Sequence, residues 1–327
     1  MLAWQSAGSV LDEEPRPWRG LPVLVAGGTG FIGRALTAAL VRHGAQVTVA
    51  ARSRSGVALS STAAFTAVDL TDAASATQVC ENKHTVFMAA ALDGNAEFKV
   101  RHAAEIIRAN ALITLNMLQG AHESGVERFV LVSSSEVYSS ALTGVLSDSD
   151  PLSTISDLNS YALSKVFSEV AALKFVDQFG LSVVIARPAN VYGPGDNSSS
   201  ERGRVIARWV AAASSGKPLE IWGTGDETRS YIYVEDLVEG LMLLAQRGPV
   251  GQPVNFAHPE PVTLRNLAEA ILAMGRFTST VVLTSPQDTS SPSRVLDSSL
   301  ASEVLGFTAQ TSLREGLRQT IALSSKG

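Results

Sequence analysis

The sequence predicts an α/β fold: a doubly wound parallel sheet with helices on both faces, followed by a smaller mixed α/β lobe. Three observations predict it. Short apolar runs rich in β-branched residues alternate with stretches of helical spacing through the first half of the chain. The turn Gly27-Gly28-Thr29-Gly30-Phe31-Ile32-Gly33 stands between the first such run and the first such stretch. After Arg187-Pro188 the alternation loosens, and Gly, Pro and Ser accumulate over residues 190–203.

In order, residues 21–26 read as the first strand and 35–43 as a helix closed by Gly44, a residue suited to the left-handed cap. Residues 47–51, 65–68, 85–89 and 129–133 read as further strands, 100–124 and 161–179 as helices, and 181–186 as a buried strand. These make residues 21–187 a Rossmann-like dinucleotide-binding domain, with a later return of the chain near 228–258. Residues 188–327 are mainly a substrate-binding lobe. It holds a helix at 205–215, a strand at 219–222, a strand–helix pair at 231–246 and helices at 264–274 and 313–323. Residues 1–20 read as a flexible arm outside the fold.

Composition narrows the function classes. With 31 acidic and 26 basic residues among 327, the formal net charge is -5, and no basic block is present, which argues against nucleic acid as a partner. No apolar run approaches the roughly 20 residues of a membrane span. Asp12, Glu13 and Glu14 fall where a secretory leader needs apolar residues. The single cysteine, Cys80, permits neither an internal disulfide nor a cysteine zinc cluster, and a reducing, cytoplasmic setting is expected. His43, His84, His102, His122 and His258 are scattered without ligand spacing, so no metal is expected.

Glycines directly after a buried strand let backbone amides approach a pyrophosphate, and the following helix N-terminus adds partial positive charge. Gly27, Gly30 and Gly33 have the required spacing, with Phe31 and Ile32 between them. The second strand ends in Ala51, where a carboxylate would select an unphosphorylated adenosine ribose, and Arg52, Ser53 and Arg54 follow. A guanidinium there favours a 2'-phosphate, so NADP is expected, with NAD possible; the alternative is that these arginines are solvated loop charges. Asp69 and Leu70, after the third strand, suit either the adenine amino group or a helix cap.

Tyr161 and Lys165 lie four apart on a helix and share one face. A tyrosine titrates near pH 10, and bringing it to neutrality takes roughly 4 kcal/mol of phenolate stabilisation, which a nearby ammonium helps to supply. The alternative is a surface contact. Ser133, Ser134, Ser135 and Glu136 end a strand at the sheet edge where ligands bind, although serines there also form turns.

Together with Arg187-Pro-Ala-Asn190-Val-Tyr-Gly-Pro-Gly195, Ile221-Trp-Gly-Thr-Gly225, Arg229 before Tyr231-Ile-Tyr-Val-Glu-Asp236, and Asn255, these motifs resemble the extended short-chain dehydrogenase/reductases. The resemblance is to the NAD-dependent epimerase/dehydratase family, which modifies nucleotide sugars, and it covers nearly the whole chain. It implies that Ser134 orients the reacting sugar oxygen, Tyr161 is the acid–base and Lys165 holds the nicotinamide ribose. It implies that Ala89, Ala90, Ala91, Asn110 and Pro188 line the cofactor. Ser135, Asn190, Arg229 and Arg294 are then expected at a nucleotide diphosphate sugar. A homodimer through helices 100–124 and 161–179 is also implied.

Departures from the family refine the reaction. Ser135 stands where the 4,6-dehydratases carry an acidic aspartate, which disfavours dehydration. Ser135-Glu136 is similar to the UDP-glucuronate decarboxylases, which keep an NAD-type second strand that is missing here. Other stretches are similar to GDP-fucose synthase, whose cysteine and histidine fall at Glu136 and Ser199. Ser139 and Ser230 replace a usual glycine and aspartate. The expected activity is reduction of a 4-keto nucleotide sugar by hydride transfer at Ser134, Tyr161 and Lys165. The alternative is a redox-neutral epimerase or decarboxylase with Glu136 as second acid–base.

Overall fold

Fifteen strands and ten helices follow in chain order among the described residues of a computed structural model: 17–54, 60, 62–139, 142, 144–152, 159–196, 203–284 and 293–324. The first half runs β1 (Pro22–Ala26), α1 (Phe31–Arg42), β2 (Gln46–Ala51), β3 (Ala64–Ala67), α2 (Ala73–Cys80), β4 (Thr85–Met88), α3 (Ala96–Arg101), α4 (Ala103–Glu123) and β5 (Arg128–Val132). It continues through β6 (Gly144–Leu146), α5 (Ser160–Phe179), β7 (Val183–Pro188) and β8 (Asn190–Tyr192). The second half comprises α6 (Val205–Ser214), β9 (Leu219–Trp222), β10 (Thr228–Arg229), β11 (Tyr231–Tyr233), α7 (Val234–Arg247) and β12 (Pro253–Phe256). It ends with β13 (Val262–Thr263), α8 (Leu264–Gly275), β14 (Val281–Thr284), β15 (Arg294–Leu296), α9 (Ser299–Leu305) and α10 (Leu313–Ser324).

The main sheet is wholly parallel, with seven strands in the order β12-β7-β5-β4-β1-β2-β3. The order reverses between β1 and β4, which opens a crevice at their carboxyl ends. Both faces are apolar and covered. One core gathers Val23, Val25, Leu36, Phe87, Val130 and Leu237, and the other Leu24, Val86, Met117, Phe129 and Ile185. A third core, around Trp209, Leu219, Tyr231 and Leu267, belongs to the later lobe.

The expected arm ends earlier than residue 20. Trp18 is buried against the Phe87 ring, with centroids 5.9 Å apart, and the Gly20 amide donates to the Gly44 carbonyl. The rest of that expected arm, residues 1–16, lies outside the described residues. The helix expected over 100–124 is two helices meeting at His102, where ψ is 27°. The return of the chain is β12, which completes the sheet beside β7. No described helix is long and apolar enough to cross a membrane, and no three described His, Cys, Asp or Glu residues cluster as a metal site would need.

Helix α5 inverts the usual pattern. Its buried side is polar, with Ser164 and Ser168 against α4 and Lys165 and Glu169 against the sheet, while Phe167, Val170 and Phe179 are exposed. Glu169 explains the inversion. Both its oxygens accept from Arg187 on β7, at 3.0 and 2.6 Å, and Ser133 also donates to it. The guanidinium further donates to the Tyr138 hydroxyl at 3.0 Å, which donates to Asn255 on β12 at 2.7 Å. Removing one partner of such a pair strands a buried charge. Glu169→Ala is expected to cost about 3–5 kcal/mol in denaturant unfolding, and pairing it with Arg187→Met is expected to recover much of that loss.

Candidate active site

A cleft of about 480 Å³ lies over the carboxyl ends of β1, β4, β5 and β7. The glycine loop forms one end. Gly27 has φ of +81°, and a Cβ there would sit 2.6 Å from the Ala90 Cα. A Cβ on Gly33 would sit 2.2 Å from the Gly27 carbonyl oxygen, so the loop closes only on glycine. Gly30 caps α1 with no side-chain hydrogen bond, and the first turn of the helix carries no acidic residue. Its first amides therefore face the cleft mouth unblocked, as an anion site requires. This cradle fits a dinucleotide pyrophosphate.

Gly30, Phe31, Ile32, Gly33, Ala89, Ala91 and Pro188 line the cleft. Asn110 does not. It is buried behind the wall, accepting from the Leu92 amide at 2.7 Å and donating to the Leu92 carbonyl at 3.0 Å and to Ser164 at 2.9 Å. Its work is to tie the loop after β4 to α5. Gly27, Ala90, Arg52, Ser53, Asp69 and Leu70 are likewise absent from the cleft lining. Arg52, Ser53 and Asp69 are exposed at the ends of β2 and β3, and Leu70 packs into the core. Asp69 accepts from the Thr71 amide and hydroxyl at 3.0 and 2.8 Å, which with the charge of Arg52 holds its carboxyl below the ordinary range.

At the other end, α5 begins at Asn159, whose side chain accepts from the Tyr161 and Ala162 amides, both at 3.0 Å. That cap aims Tyr161 and Lys165 into the cleft together. The Lys165 ammonium lies 5.6 Å from the Tyr161 ring centre and donates to the Val132 carbonyl at 2.8 Å. Burial brings Lys165 down to about 8, against the charges of Asp93 and Glu169. The expectation of an acidified phenol is not met by the chain's own groups. Burial, Asp93 and Glu136 push Tyr161 well above its ordinary value, outweighing Arg204 and a hydrogen bond with Ser134.

Ser134, Ser135 and Glu136 line the same end. Ser134 caps the short turn, accepting from the Glu136 amide at 3.1 Å. Glu136 is not a lone carboxylate. Lys99 donates to its two oxygens at 2.6 and 2.9 Å, and Asn159 donates at 2.9 Å. Lys99 also lies 3.5 Å from Asp93 and 4.8 Å from the Tyr161 ring centre. Lys99, Asn159 and Arg204 lie in no motif that the sequence offers; Lys99 sits on α3, Asn159 caps α5 and Arg204 immediately precedes α6.

Asn190 lines the cleft and donates to the Ser230 carbonyl at 3.0 Å. Arg229 and Arg294 lie outside the cleft lining, directly opposite one another on the paired strands β10 and β15. The buried Nε of Arg294 has no hydrogen-bond partner among the described residues. Ser230, in place of the usual aspartate, is buried and accepts from the Leu296 amide at 3.0 Å, a strand-to-strand tie.

A parallel sheet with a glycine cradle at one end of its crevice and a Ser–Tyr–Lys group at the other defines a dinucleotide-dependent enzyme of the short-chain dehydrogenase type. The chain belongs to the NAD dependent epimerase/dehydratase family, whose model matches residues 23–257. It is 37% identical over 314 residues to a dTDP-4-dehydro-6-deoxy-D-allose reductase of a Streptomyces species, covering 93% of this chain and 96% of that protein. It is 31% identical to UDP-glucuronic acid decarboxylase 1 of Arabidopsis thaliana, over 92% of this chain and 69% of that one. Among solved structures, UDP-glucose 4-epimerase from Thermotoga maritima aligns with a TM-score of 0.87 at 25% identity, over 94% of this chain and 99% of that one. A dTDP-glucose 4,6-dehydratase from Streptomyces venezuelae, solved with NAD, aligns with a TM-score of 0.85 at 25% identity, over 94% and 98%.

The two inner glycines differ in what they tolerate. Gly33→Ala drives a methyl into backbone and is expected to weaken dinucleotide binding by roughly tenfold or more, whereas Gly30→Ala, whose Cβ would meet only the Gly27 oxygen at 3.2 Å, is expected to be milder. Cofactor titration by intrinsic fluorescence checks both.

Proposed function

We propose that this protein reduces a 4-keto nucleotide sugar. The observation that carries the reading is the placement of Tyr161, which faces the cleft beside Lys165 and shares a hydrogen bond with Ser134, its phenol raised by burial and the charges of Asp93 and Glu136. A neutral phenol donates a proton, which is what an incoming carbonyl oxygen needs as it becomes a hydroxyl. The 37% identity to a 4-keto sugar reductase over nearly all of both chains supports the same direction.

A bound nicotinamide dinucleotide supplies the hydride. Gly27, Gly30 and Gly33 with the α1 amides would hold its pyrophosphate, and Phe31, Ile32, Ala89, Ala91 and Pro188 its nicotinamide end. The remaining work is the chain's own. Ser134 orients the carbonyl oxygen, Tyr161 delivers the proton, and the Lys165 ammonium stabilises the phenolate left behind. Asn190, Ser135, Arg229 and Arg294 would receive the substrate. Two guanidiniums placed side by side repel, and a diphosphate between them would relieve that repulsion. dTDP-4-dehydro-6-deoxy-D-allose is the first substrate to try.

For the cofactor we propose NADPH. Ala51 offers no carboxylate to the ribose, and the exposed Arg52 beside it suits a 2'-phosphate. We also propose a homodimer. Phe167, Val170 and Phe179 of α5 are exposed together with Ile107 and Leu115 of α4, and these two helices pack side by side.

With the dTDP-4-keto sugar as probe, NADPH is expected to be consumed one for one with product. Turnover sustained by catalytic amounts of cofactor would overturn the reductase reading. Tyr161→Phe is expected to lower kcat by roughly 10²-fold or more while leaving NADPH affinity nearly unchanged. Arg52→Asp is expected to cut the kcat/KM preference for NADPH over NADH by roughly tenfold or more, read from paired kinetics with the two cofactors.

A further inference from the structure

Glu136 lines the cleft beside Ser134 and Ser135 with its side chain 33% exposed, yet both its oxygens are already engaged by neighbours. Lys99 grips both oxygens, at 2.6 and 2.9 Å, and Asn159 adds a third donor at 2.9 Å. Lys99 is itself built in. Its ammonium is flanked by Asp93 at 3.5 Å, its side chain is 11% exposed, and its own carbonyl accepts from the Ser160 hydroxyl at 2.7 Å, which fastens α3 to the start of α5.

The groups facing Glu136 come from each neighbouring element. They are Lys99 from α3, Asp93 from the loop after β4, Asn159 and Tyr161 from the start of α5, and Arg294 from β15. Burial alone would raise the Glu136 carboxyl, but Lys99, Asn159 and Arg294 together hold it below its usual value. The same contacts raise Lys99 against the effect of burial.

We propose that Lys99 is a positioning residue that withdraws Glu136 from proton exchange, so that the carbons beside the reacting carbonyl keep their configuration during reduction. This rests on the 4-keto reduction proposed above. Left to itself, a carboxylate there could take the proton from a carbon next to the ketone, the C–H electron pair passing to the carbonyl oxygen. The resulting enolate would then regain a proton from either face. The Lys99 ammonium takes a lone pair on each oxygen and Asn159 a second on Oε2, so the carboxylate is a weakened base for the first step and its one open lone pair, on Oε1, lies beside the ammonium. The site thus reduces without epimerising.

Two readouts separate the hold on Glu136 from the chemistry. In protein labelled with carboxyl-¹³C glutamate, with the signal assigned by Glu136→Gln, Glu136 is expected to titrate below the ordinary carboxylate range. Lys99→Met is expected to move that titration upward by about one pH unit or more, and Lys99→Arg to keep it low. In D₂O with dTDP-4-dehydro-6-deoxy-D-allose and NADPH, corrected for an enzyme-free blank, wild-type product is expected to carry no carbon-bound deuterium beside the reduced centre. Product from Lys99→Met is expected to carry it, and the double variant Lys99→Met/Glu136→Gln to lose it again. A Glu136 signal unmoved by Lys99→Met, or deuterium in the wild-type product, overturns the proposal. Failure of every variant and the wild type to reduce the probe counts against the reduction itself, and the titration then decides the role of Lys99.

Discussion

One buried ion pair, Glu169 with Arg187, governs the geometry of the site above it. It joins the face of α5 that carries Tyr161 and Lys165 to the strand that ends at the cleft floor. Ser133, Tyr138 and Asn255 complete the network, so the strand end bearing the serines, the helix bearing the tyrosine and the last sheet strand share one set of hydrogen bonds. An apolar helix face would pack there with less desolvation cost, but it could slide or rotate. Directional bonds to charged groups admit one rotation of α5 about its axis, and that rotation puts the lysine against the Val132 carbonyl.

Burial acts on the reacting groups in two opposing ways. It lowers Lys165, which costs part of the ammonium's positive field, and it raises Tyr161, which keeps the phenol protonated. The simple picture of a lysine acidifying its neighbouring tyrosine omits Asp93 and Glu136, whose negative charge reaches the same ring. Their charges act with burial to favour the protonated phenol over the phenolate.

Much of this was legible in the chain itself, and the reasons are physical. Strands β1, β4 and β5 are near-continuous apolar runs because a sheet covered on both faces needs them, and Gly27 and Gly33 of the loop stand where backbone contacts leave no room for a side chain. The short elements were not legible. The Ala73–Cys80 helix has the composition AASATQVC, with little periodic contrast, and is set by its Asp72 cap. The burial of the polar side of α5 was not legible either, because its partners Arg187, Ser133 and Asn110 are distant in sequence. Asn110 shows the same limit: its bonds to Leu92 and Ser164 span 18 and 54 residues of chain. Lys99 had no motif to mark it, since its meaning comes only from where α3 meets Glu136.

The boundary drawn near residue 187 has a consequence for anyone recombining members of this family. Strand β12, contributed by residues 253–256, is hydrogen-bonded along β7 and hands Asn255 to the Tyr138 hydroxyl in the middle of the earlier half. The two halves are therefore interlaced rather than hinged. A chimera that exchanges the later lobe as one continuous block would import a foreign edge strand into the nucleotide fold, and crossovers that respect the molecule must fall on either side of that strand.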